Sequence, residues 1–340
     1  MIDLRFEQAA KKYKDAKKIF PESHNLTFKI GYCYLHSDQN QHLALEYLRE
    51  AAEWASPEYD SRSIRETNAP IEALYYLGRA YQIGYKFNEA IEAFRKYLSM
   101  APQDHELRLL AEQQIAASRS ASQLMSNPEA FAVNNLGPPI NNALGTFNAV
   151  ISGDGKTLAY TTFARNGFDI YVARKGADGW ERPRRISDDL RGRFYRTSDL
   201  SYKGDILLLT EDIGRGSNIY ISIYEDRKWS KASKLRGPIN SRHNETHAAL
   251  SADGNTIFFT SDRPGGHGGL DIYKSTLNHR GRWENPVNLG PDINTPFNEQ
   301  SPFVTENNIL FFSSEGHKGM GGYDIFRVDL GGDRICLLYT

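Results

Sequence analysis

The side chains in this sequence with the potential to bind a catalytic metal are His243 and His247, which flank Glu245. A zinc pair with this i, i+4 spacing requires a helix, which places both imidazoles on one face beside a glutamate base. Here the segment leads into a predicted β-strand, where the two histidines lie about 13 Å apart at roughly 3.3 Å per residue. We therefore expect no metal site, and no motif predicts a cofactor.

Two glycine-rich loops, at residues 263–271 and 315–324, raise the possibility of phosphate binding. A P-loop needs Lys-Ser/Thr opening a helix after the glycines, whereas a strand is predicted to follow both of these loops. A serine hydrolase of the α/β type would carry a Gly-x-Ser-x-Gly elbow, and the sequence contains none. The glycines are therefore best interpreted as wide connections that use positive φ angles.

Three aspartates, Asp169, Asp271 and Asp324, each precede a short apolar strand. A carboxylate buried at such a position must be hydrogen-bonded, so we expect backbone N–H groups or side chains of the preceding strand to satisfy it. For Asp271 the candidate side chains are Ser261 and Arg263. Since the motif is repeated, it indicates architecture and not catalysis.

The loops beside these strands are the candidate partner-binding surfaces. Loops on a rigid β-scaffold can vary without disturbing its core, and binding residues are often found there. The side chains that we select on this basis are Arg263, His267, His317 and Lys318.

Composition excludes several classes of function. The chain has 41 Lys and Arg against 42 Asp and Glu, so it lacks the basic surplus of a nucleic-acid-binding protein. No apolar run reaches the roughly 20 residues of a membrane-spanning helix, and no signal peptide is visible. Only two cysteines occur, Cys33 and Cys336, which is too few for a disulfide framework or a cysteine metal cluster.

Residues 1–125 show helical periodicity in matched units. Ala90, Phe94, Tyr97 and Pro102 repeat the spacing of an earlier set that begins at Ala9. Small residues allow close helix packing, aromatic residues fill the space beside them, and proline ends the helix. The pattern predicts stacked helical hairpins, with an insertion at residues 56–70. The first helix has no partner before it, so we expect the natural protein to be longer.

The second half repeats about every 50 residues. Each unit contains a short strand of the Asp-Ile-Tyr type, and three units also carry an Asp-Gly type turn between apolar runs and a tryptophan that opens the next strand. Four antiparallel strands per repeat at this period are typical of a β-propeller blade. The short strands begin at Asp169, Asn218, Asp271 and Asp324, which predicts four blades.

Both halves resemble known families. "LYYLGRAY" at 74–81 and "NEAIEAFRKYLSMAP" at 88–102 are similar to tetratricopeptide (TPR) repeats, although Leu74 replaces the usual tryptophan and Tyr97 a usual alanine. "SADGNTIFFTSDRPGGHGGLDIYKS" at 251–275 resembles the WD40-like repeats of TolB-type periplasmic proteins. The order of the parts resembles periplasmic proteins that end in an OmpA-like peptidoglycan-binding domain, some of them associated with type IX secretion.

The expected organisation is a multidomain α plus all-β protein. Residues 1–125 form a TPR solenoid, 126–134 a linker and closing strand, and 135–340 a propeller of four blades in an incomplete ring. "FAVNNLGPPIN" at 131–141 matches 284–294, so we expect it to act as a lent outer strand. The fourth blade lacks a recognisable outer strand, which predicts an exposed edge near Ile325 to Leu330 or Phe131 to Asn135. It also predicts a truncated chain that lacks the OmpA-like domain.

The resemblance implies a non-catalytic scaffold that binds proteins in the bacterial cell envelope, periplasmic and associated with the outer membrane. Its partners would be proteins held by the helical groove and the propeller loops, and peptidoglycan or outer-membrane complexes through the domain that this chain lacks. The alternatives are the propeller domain of an enzyme, such as a peptidase or carbohydrate-active protein, or a purely structural spacer. Convergent carboxylates at the channel mouth would favour the enzyme.

Overall fold

The structure is a computed structural model that describes residues 2–337 except 38–39, 64, 127–133, 139, 142–144, 213–215, 321 and 332–334. The chain divides into two compact units, the first consisting of Met1–Pro128 and Lys318–Gly321 and the second of Glu129–His317 and Gly322–Thr340. Among the described residues, none of the helices is both long and apolar enough to span a bilayer.

The first unit is built from α-helices that each pack on the next one in the chain. Their bounds are α1 Ile2–Ile19, α2 His24–Leu35, α3 Ala44–Glu53, α4 Glu72–Ile83, α5 Phe87–Met100 and α6 Arg108–Met125, with a 3-10 turn at Gln41–Leu43. Helices α1, α3 and α5 end shortly before Pro21, Pro57 and Pro102, as the sequence predicts, because proline cannot continue a helix.

The helix contacts explain the small and large residues of the repeat. Leu48 of α3 and Phe94 of α5 are fully buried. They lie against Gly31 of α2 and Gly78 of α4, where an added Cβ atom would approach the neighbouring side chain to 2.8 and 2.6 Å. Each glycine thus allows the larger side chain of the following helix to fill the core.

Residues 54–71 depart from the prediction that residues 1–125 are nearly all helical. Two-residue strands, β1 Ala55–Ser56 and β2 Ala69–Pro70, pair in parallel there. The Trp54 carbonyl accepts a bond from the Ala69 amide at 3.0 Å, which closes the insertion at its base. The insertion is therefore a closed loop between α3 and α4.

The second unit consists of four antiparallel sheets, one for each predicted blade, which confirms the predicted fold class. Blade one has strands β3 Thr146–Ile151, β4 Thr157–Ala164, β5 Gly167–Gly176, β6 Gly179–Trp180 and β7 Arg184–Arg185. Blade two has β8 Tyr195–Leu200, β9 Ile206–Asp212, β10 Ser217–Glu225, β11 Lys228–Trp229 and β12 Ser233–Lys234. Blade three has β13 Glu245–Leu250, β14 Thr256–Ser261, β15 Asp271–Thr276 and β16 Val287–Asn288. Blade four has β17 Glu299–Val304, β18 Ile309–Ser314, β19 Asp324–Asp329 and β20 Ile335–Leu337.

Helix is nearly absent from the described part of this unit. The single helical turn is α7, Ser187–Leu190, which lies between blades one and two. Apolar cores lie between blades one and two, two and three, and three and four, and join the sheets face to face. Among the described strands, none of blade one makes an extensive contact with blade four, so the packing follows an arc.

The prediction that blade four lacks an outer strand is wrong. Strand β20 pairs with β19, where Phe326 lies opposite Leu337 and Val328 opposite Ile335. The backbone at the expected edge is therefore covered, although the side chains of Ile325 and Leu330 remain exposed. The sequence did not reveal β20 because residues 335–337 lack the tryptophan landmark of the other outer strands.

The predicted closing strand falls mostly outside the described residues, which begin again at Asn134. What is described of its second half matches blade three. Gly137 accepts backbone bonds from Ile140 and Asn141 at 3.0 Å, as Gly290 accepts them from the two matching residues, Ile293 and Asn294. The two segments thus form the same turn. The role of residues 131–141 as an outer strand of the final blade stays a prediction.

We expect Gly78→Ala to destabilise the helical unit, because the new methyl group would overlap the buried ring of Phe94. Overpacking costs about 1–3 kcal/mol, which exceeds the roughly 1 kcal/mol that alanine gains over glycine in a helix. Gly84→Ala is the matched control, since nothing lies closer than 3.5 Å to its added Cβ atom. Urea unfolding followed by circular dichroism measures both, and equal midpoints would contradict the packing role.

Candidate functional site

A groove of about 830 Å³ runs along the helical unit. Its lining side chains come from α1, α2, the closed insertion, α4 and the turn before α6. Six of them are aromatic, namely Phe6, Tyr13, Phe28, Tyr32, Tyr59 and Tyr76. Aromatic side chains contribute large contact areas at small entropic cost, so this lining is suited to holding a protein segment.

The rings at the centre of the groove hold one another in place. Tyr32 and Tyr76 are perpendicular with centroids 4.9 Å apart, and Phe28 lies 6.1 and 6.0 Å from them. His36 stacks on Phe6 at 5.3 Å and contacts Tyr32 at 4.2 Å. Because the rings pack on each other, the surface is formed before any ligand arrives, which lowers the entropic cost of binding.

Polar groups lie among and around these rings. Burial, with the neighbouring Tyr32, raises the pKa of Tyr76, so its hydroxyl stays neutral. The Tyr59 hydroxyl donates to Asn25 Oδ1 at 3.1 Å. Basic side chains, Arg5 and Lys29, come from α1 and α2, whereas the acidic ones, Glu72 and Glu106, come from α4 and the turn before α6. The groove is therefore basic at its α1 side and acidic at its α6 side.

In the propeller, Asp271 is almost fully buried at the start of β15. Its carboxylate accepts backbone bonds from His267 at 2.6 Å and Gly268 at 3.0 Å, and a bond from Asn288 Nδ2 at 2.7 Å. The carboxylate thus fixes the glycine-rich loop and the outer strand of blade three. The backbone partners are of the expected type, but neither Ser261 nor Arg263 is among its partners.

Ser261 and Arg263 bond instead to Glu245, a fully buried side chain of β13. The Oε1 atom of Glu245 lies 3.1 Å from both Ser261 Oγ and Arg263 Nη2. Arg263 also donates to the Ile239 carbonyl at 2.6 Å and lies 4.9 Å from the centroid of the Phe259 ring. The guanidinium of Arg263 therefore bonds to groups inside the blade, whereas we expected it to be available to a partner.

Blade four repeats this arrangement with Glu299, which is also fully buried. Its carboxylate accepts bonds from the backbone and hydroxyl of Thr295, both at 2.7 Å, and from Ser314 Oγ at 2.6 Å. Burial raises the pKa of Glu299, and these bonds oppose the rise. His317 takes the place of Arg263, since its Nε2 lies 2.9 Å from the Ile293 carbonyl, so it too faces inward.

The other two blade aspartates are not equivalent to Asp271. Asp169 is only partly buried and accepts bonds from Arg185 Nε at 2.7 Å and Ser187 Oγ at 2.9 Å. Asp324 is also only partly buried. Of the selected loop residues, the side chains of His267 and Lys318 are exposed, and their partner-binding role stays a prediction.

Two asparagines that were not predicted from the sequence join the blades. Asn240 accepts a bond from the Ile219 amide of blade two, and Asn294 one from the Ile272 amide of blade three, both at 2.7 Å. The signal lies in two matching segments, "INSRHNE" at 239–245 and "INTPFNE" at 293–299. Each segment links the third strand of one blade to the buried glutamate of the next.

A pocket of about 410 Å³ lies where the inner hairpins of all four blades meet. Two carboxyl groups line it, those of Asp199 and Glu306. Asp199 Oδ2 accepts a bond from the Leu250 amide at 2.7 Å, and burial raises the pKa of Asp199 to about 7. Glu306 is exposed and accepts a bond from the Tyr202 hydroxyl at 3.0 Å. Both carboxyl groups thus have partners within the propeller that account for their positions.

His243 and His247, the histidines with the i, i+4 spacing, each have a neighbour other than a metal ligand. Burial, with nearby Arg196, lowers the pKa of His247 to about 4, so its imidazole is neutral, and Nδ1 lies 3.0 Å from Thr246 Oγ1. His243 Nε2 accepts a bond from Arg242 Nε at 3.3 Å. In the part of the chain that the structure describes, no three His, Cys, Asp or Glu side chains are grouped as metal ligands.

Comparisons with known proteins found similar folds only. No protein-family model and no curated protein matches the chain. TolB from Acinetobacter baumannii is 18% identical with a TM-score of 0.39, over 57% of this chain and 43% of that one. A putative TolB from Agrobacterium tumefaciens is 16% identical with a TM-score of 0.40, over 57% of this chain and 61% of that one. A puromycin hydrolase is 15% identical with a TM-score of 0.36, over 57% and 28%. The chain thus spans less than two thirds of the length of each of these proteins. Similarity at this level does not indicate a function for this chain.

We expect Asp271→Ala to destabilise the propeller by about 1–3 kcal/mol, because the His267 and Gly268 amides and Asn288 lose their acceptor. Asp292→Ala, which removes an exposed carboxylate from the same blade, is the control. A thermal melt of both variants measures the difference. An Asp271→Ala melt that coincides with wild type would rule out the structural role.

We expect Asp199→Asn to reduce the pH dependence of propeller stability. The pKa of Asp199 is higher in the folded state than the ordinary value of 3.8. Its stabilising contribution is therefore complete below about pH 4 and is lost as the pH rises through about 7. Each unit of pKa shift corresponds to about 1.4 kcal/mol. Asparagine keeps an acceptor for the Leu250 amide but does not titrate.

Urea unfolding between pH 5 and pH 8 measures this effect, with Asp292→Asn as the exposed control. Wild type and the control should lose stability over this range, and Asp199→Asn should lose less. Parallel curves for all three proteins would show that Asp199 does not titrate in this window.

Proposed function

We propose that this chain is a non-catalytic scaffold that binds other proteins, with the aromatic groove of the helical unit as a principal binding site. The observation that carries the proposal is the preformed cluster of Phe6, Phe28, Tyr32 and Tyr76 in an open groove. Interface hot spots are enriched in aromatic side chains that are already ordered. A solvated groove with this lining favours a protein ligand.

The charges of the groove define the ligand further. An extended segment with an apolar or proline-rich centre fits the aromatic rings, since such segments dock in aromatic-lined grooves. Arg5 and Lys29 favour an acidic residue at one end of the segment, and Glu72 and Glu106 a basic residue at the other. The groove therefore selects a segment both by its apolar centre and by its chain direction.

We further propose that the scaffold works in the bacterial cell envelope, as a periplasmic protein associated with the outer membrane. Support comes from the resemblance of the sequence to TPR and TolB-type repeats in the order seen in OmpA-like, secretion-linked proteins. The propeller provides a rigid body whose loops, including His267 and Lys318, are available to further proteins. Cell fractionation of the native host with an antibody against the chain tests the compartment.

Selection from a phage-displayed library of short random peptides tests the groove. We expect selected peptides to share an apolar centre with an acidic and a basic end. Their affinity for Tyr32→Ala, measured by fluorescence anisotropy, should fall about tenfold, or ~1.4 kcal/mol, because a central ring is lost. Tyr85→Ala, which removes an exposed ring outside the groove, is the control.

Charge reversal separates binding from folding. Glu106 is exposed, so Glu106→Lys should leave the circular dichroism spectrum unchanged while it weakens peptides with a basic end. Peptides with the basic end changed to acidic should regain affinity for this variant. If the selected peptides bind Tyr32→Ala and Glu106→Lys as tightly as they bind wild type, the binding site lies elsewhere and the proposal is overturned.

A further inference from the structure

The link between blades one and two differs from the other blade links. The amides of Ile186, Leu235 and Leu289 make the same backbone bond to the third strand of their blades, and from them the chain takes nine steps to Tyr195 but ten to Glu245 and to Glu299. Ser187 replaces the joining asparagine here, since the Ile170 amide donates to its Oγ at 3.0 Å. The first link also differs in its path, because a helical turn, α7, precedes a loop of residues 191–193 that lies over blade one.

This loop, Arg191-Gly192-Arg193, is fixed in position. Arg191 adopts a left-handed conformation with φ 59° at the end of α7. The Arg193 carbonyl accepts a bond from the Phe168 amide at 2.8 Å. A Cβ atom on Gly167 would clash with that carbonyl, and one on Gly192 would clash with the Tyr195 ring. Glycine at both positions allows the loop to lie directly on blade one, so its arginines project from an ordered backbone.

The charges around the loop leave a basic surplus. A pocket of about 480 Å³ is lined by three arginines and two aspartates. Arg185 pairs with both carboxylates, through Nε with Asp169 and through Nη1 with Asp188, each at 2.7 Å. Among the described residues, the side chains of Arg191 and Arg193 have no ion pair or hydrogen bond, and both are exposed. Two guanidinium groups therefore remain available to an anion.

An apolar surface adjoins these arginines. Phe147, Phe163 and Phe168 form a cluster with ring centroids 4.8 to 6.0 Å apart, and Phe168 also lines the arginine pocket. Phe163 is 61% exposed. In blades three and four the position after the paired β14 or β18 serine carries Asp262 or Glu315, which bonds internally to an asparagine. Blade one replaces that internal polar pair with an exposed aromatic ring.

From these observations we propose that the Arg191–Arg193 loop and the phenylalanine cluster form a second protein-binding surface, which takes a segment with an apolar side chain next to a carboxylate. Arginine and aromatic side chains are enriched in interface hot spots, and here both are exposed on an ordered backbone. A carboxylate matches the planar, two-pronged guanidinium of arginine, and the apolar neighbour covers Phe163. The surface lies on the propeller and is independent of the helical groove.

An array of synthetic peptides, with leucine or phenylalanine at varied spacing from aspartate, glutamate or lysine, tests the proposal on the full chain. We expect peptides that combine an apolar residue with a carboxylate to bind, and their lysine counterparts not to bind. Arg191→Glu/Arg193→Glu should weaken the best acidic peptide at least about tenfold and bind the lysine counterpart instead. Phe163→Ser should weaken the binding of every apolar peptide but should leave the preference for a carboxylate over lysine unchanged.

Arg182→Glu is the control, since Arg182 is an exposed arginine of the same linking segment that does not line the pocket. Circular dichroism establishes that each variant is folded. Equal affinity of wild type and the double variant for acidic peptides would overturn the proposal. So would peptide binding that inorganic phosphate abolishes while Phe163→Ser leaves it unchanged, because that result describes a simple anion site. A loss confined to Tyr32→Ala would implicate the helical groove.

Discussion

The buried glutamates of the inner strands of blades three and four are the interaction on which the links to these two blades depend. A carboxylate taken out of water costs several kcal/mol unless it is hydrogen-bonded and paired. Glu245 meets that requirement with Ser241, Ser261 and Arg263, and Glu299 meets it with Thr295 and Ser314. Because these partners come from the link and from the neighbouring strand, the carboxylate holds each link in one conformation relative to its sheet.

The same links place the joining asparagines. Asn240 and Asn294 each bond both the amide and the carbonyl of an isoleucine in the preceding blade. The polar network thus joins blade two to blade three and blade three to blade four, where apolar cores also remove hydrophobic surface from water. Blade one has threonines in place of the glutamate and serine, at Thr146 and Thr162, and this blade carries the cluster of Phe147, Phe163 and Phe168.

The two units offer candidate binding surfaces of different kinds. The helical groove places six aromatic side chains between basic and acidic groups, which suits an extended segment with an apolar centre. The surface on blade one combines two arginines with the exposed ring of Phe163, which suits a carboxylate beside an apolar group. Both are formed by ordered residues, which reduces the conformational entropy lost on binding.

The order of helical hairpins and four-stranded blades can be predicted from the sequence, because periods of 3.6 and 2 and the turn residues are local properties. The structural role of the Asp271 carboxylate can be predicted in the same way. The three-dimensional contacts were needed to show that Arg263 and His317 face inward, that β20 completes blade four, and that Tyr32 and Tyr76 meet in one groove. These facts depend on residues that are distant in the chain or on a side chain's choice between water and a buried acceptor. Neither leaves a local pattern in the sequence.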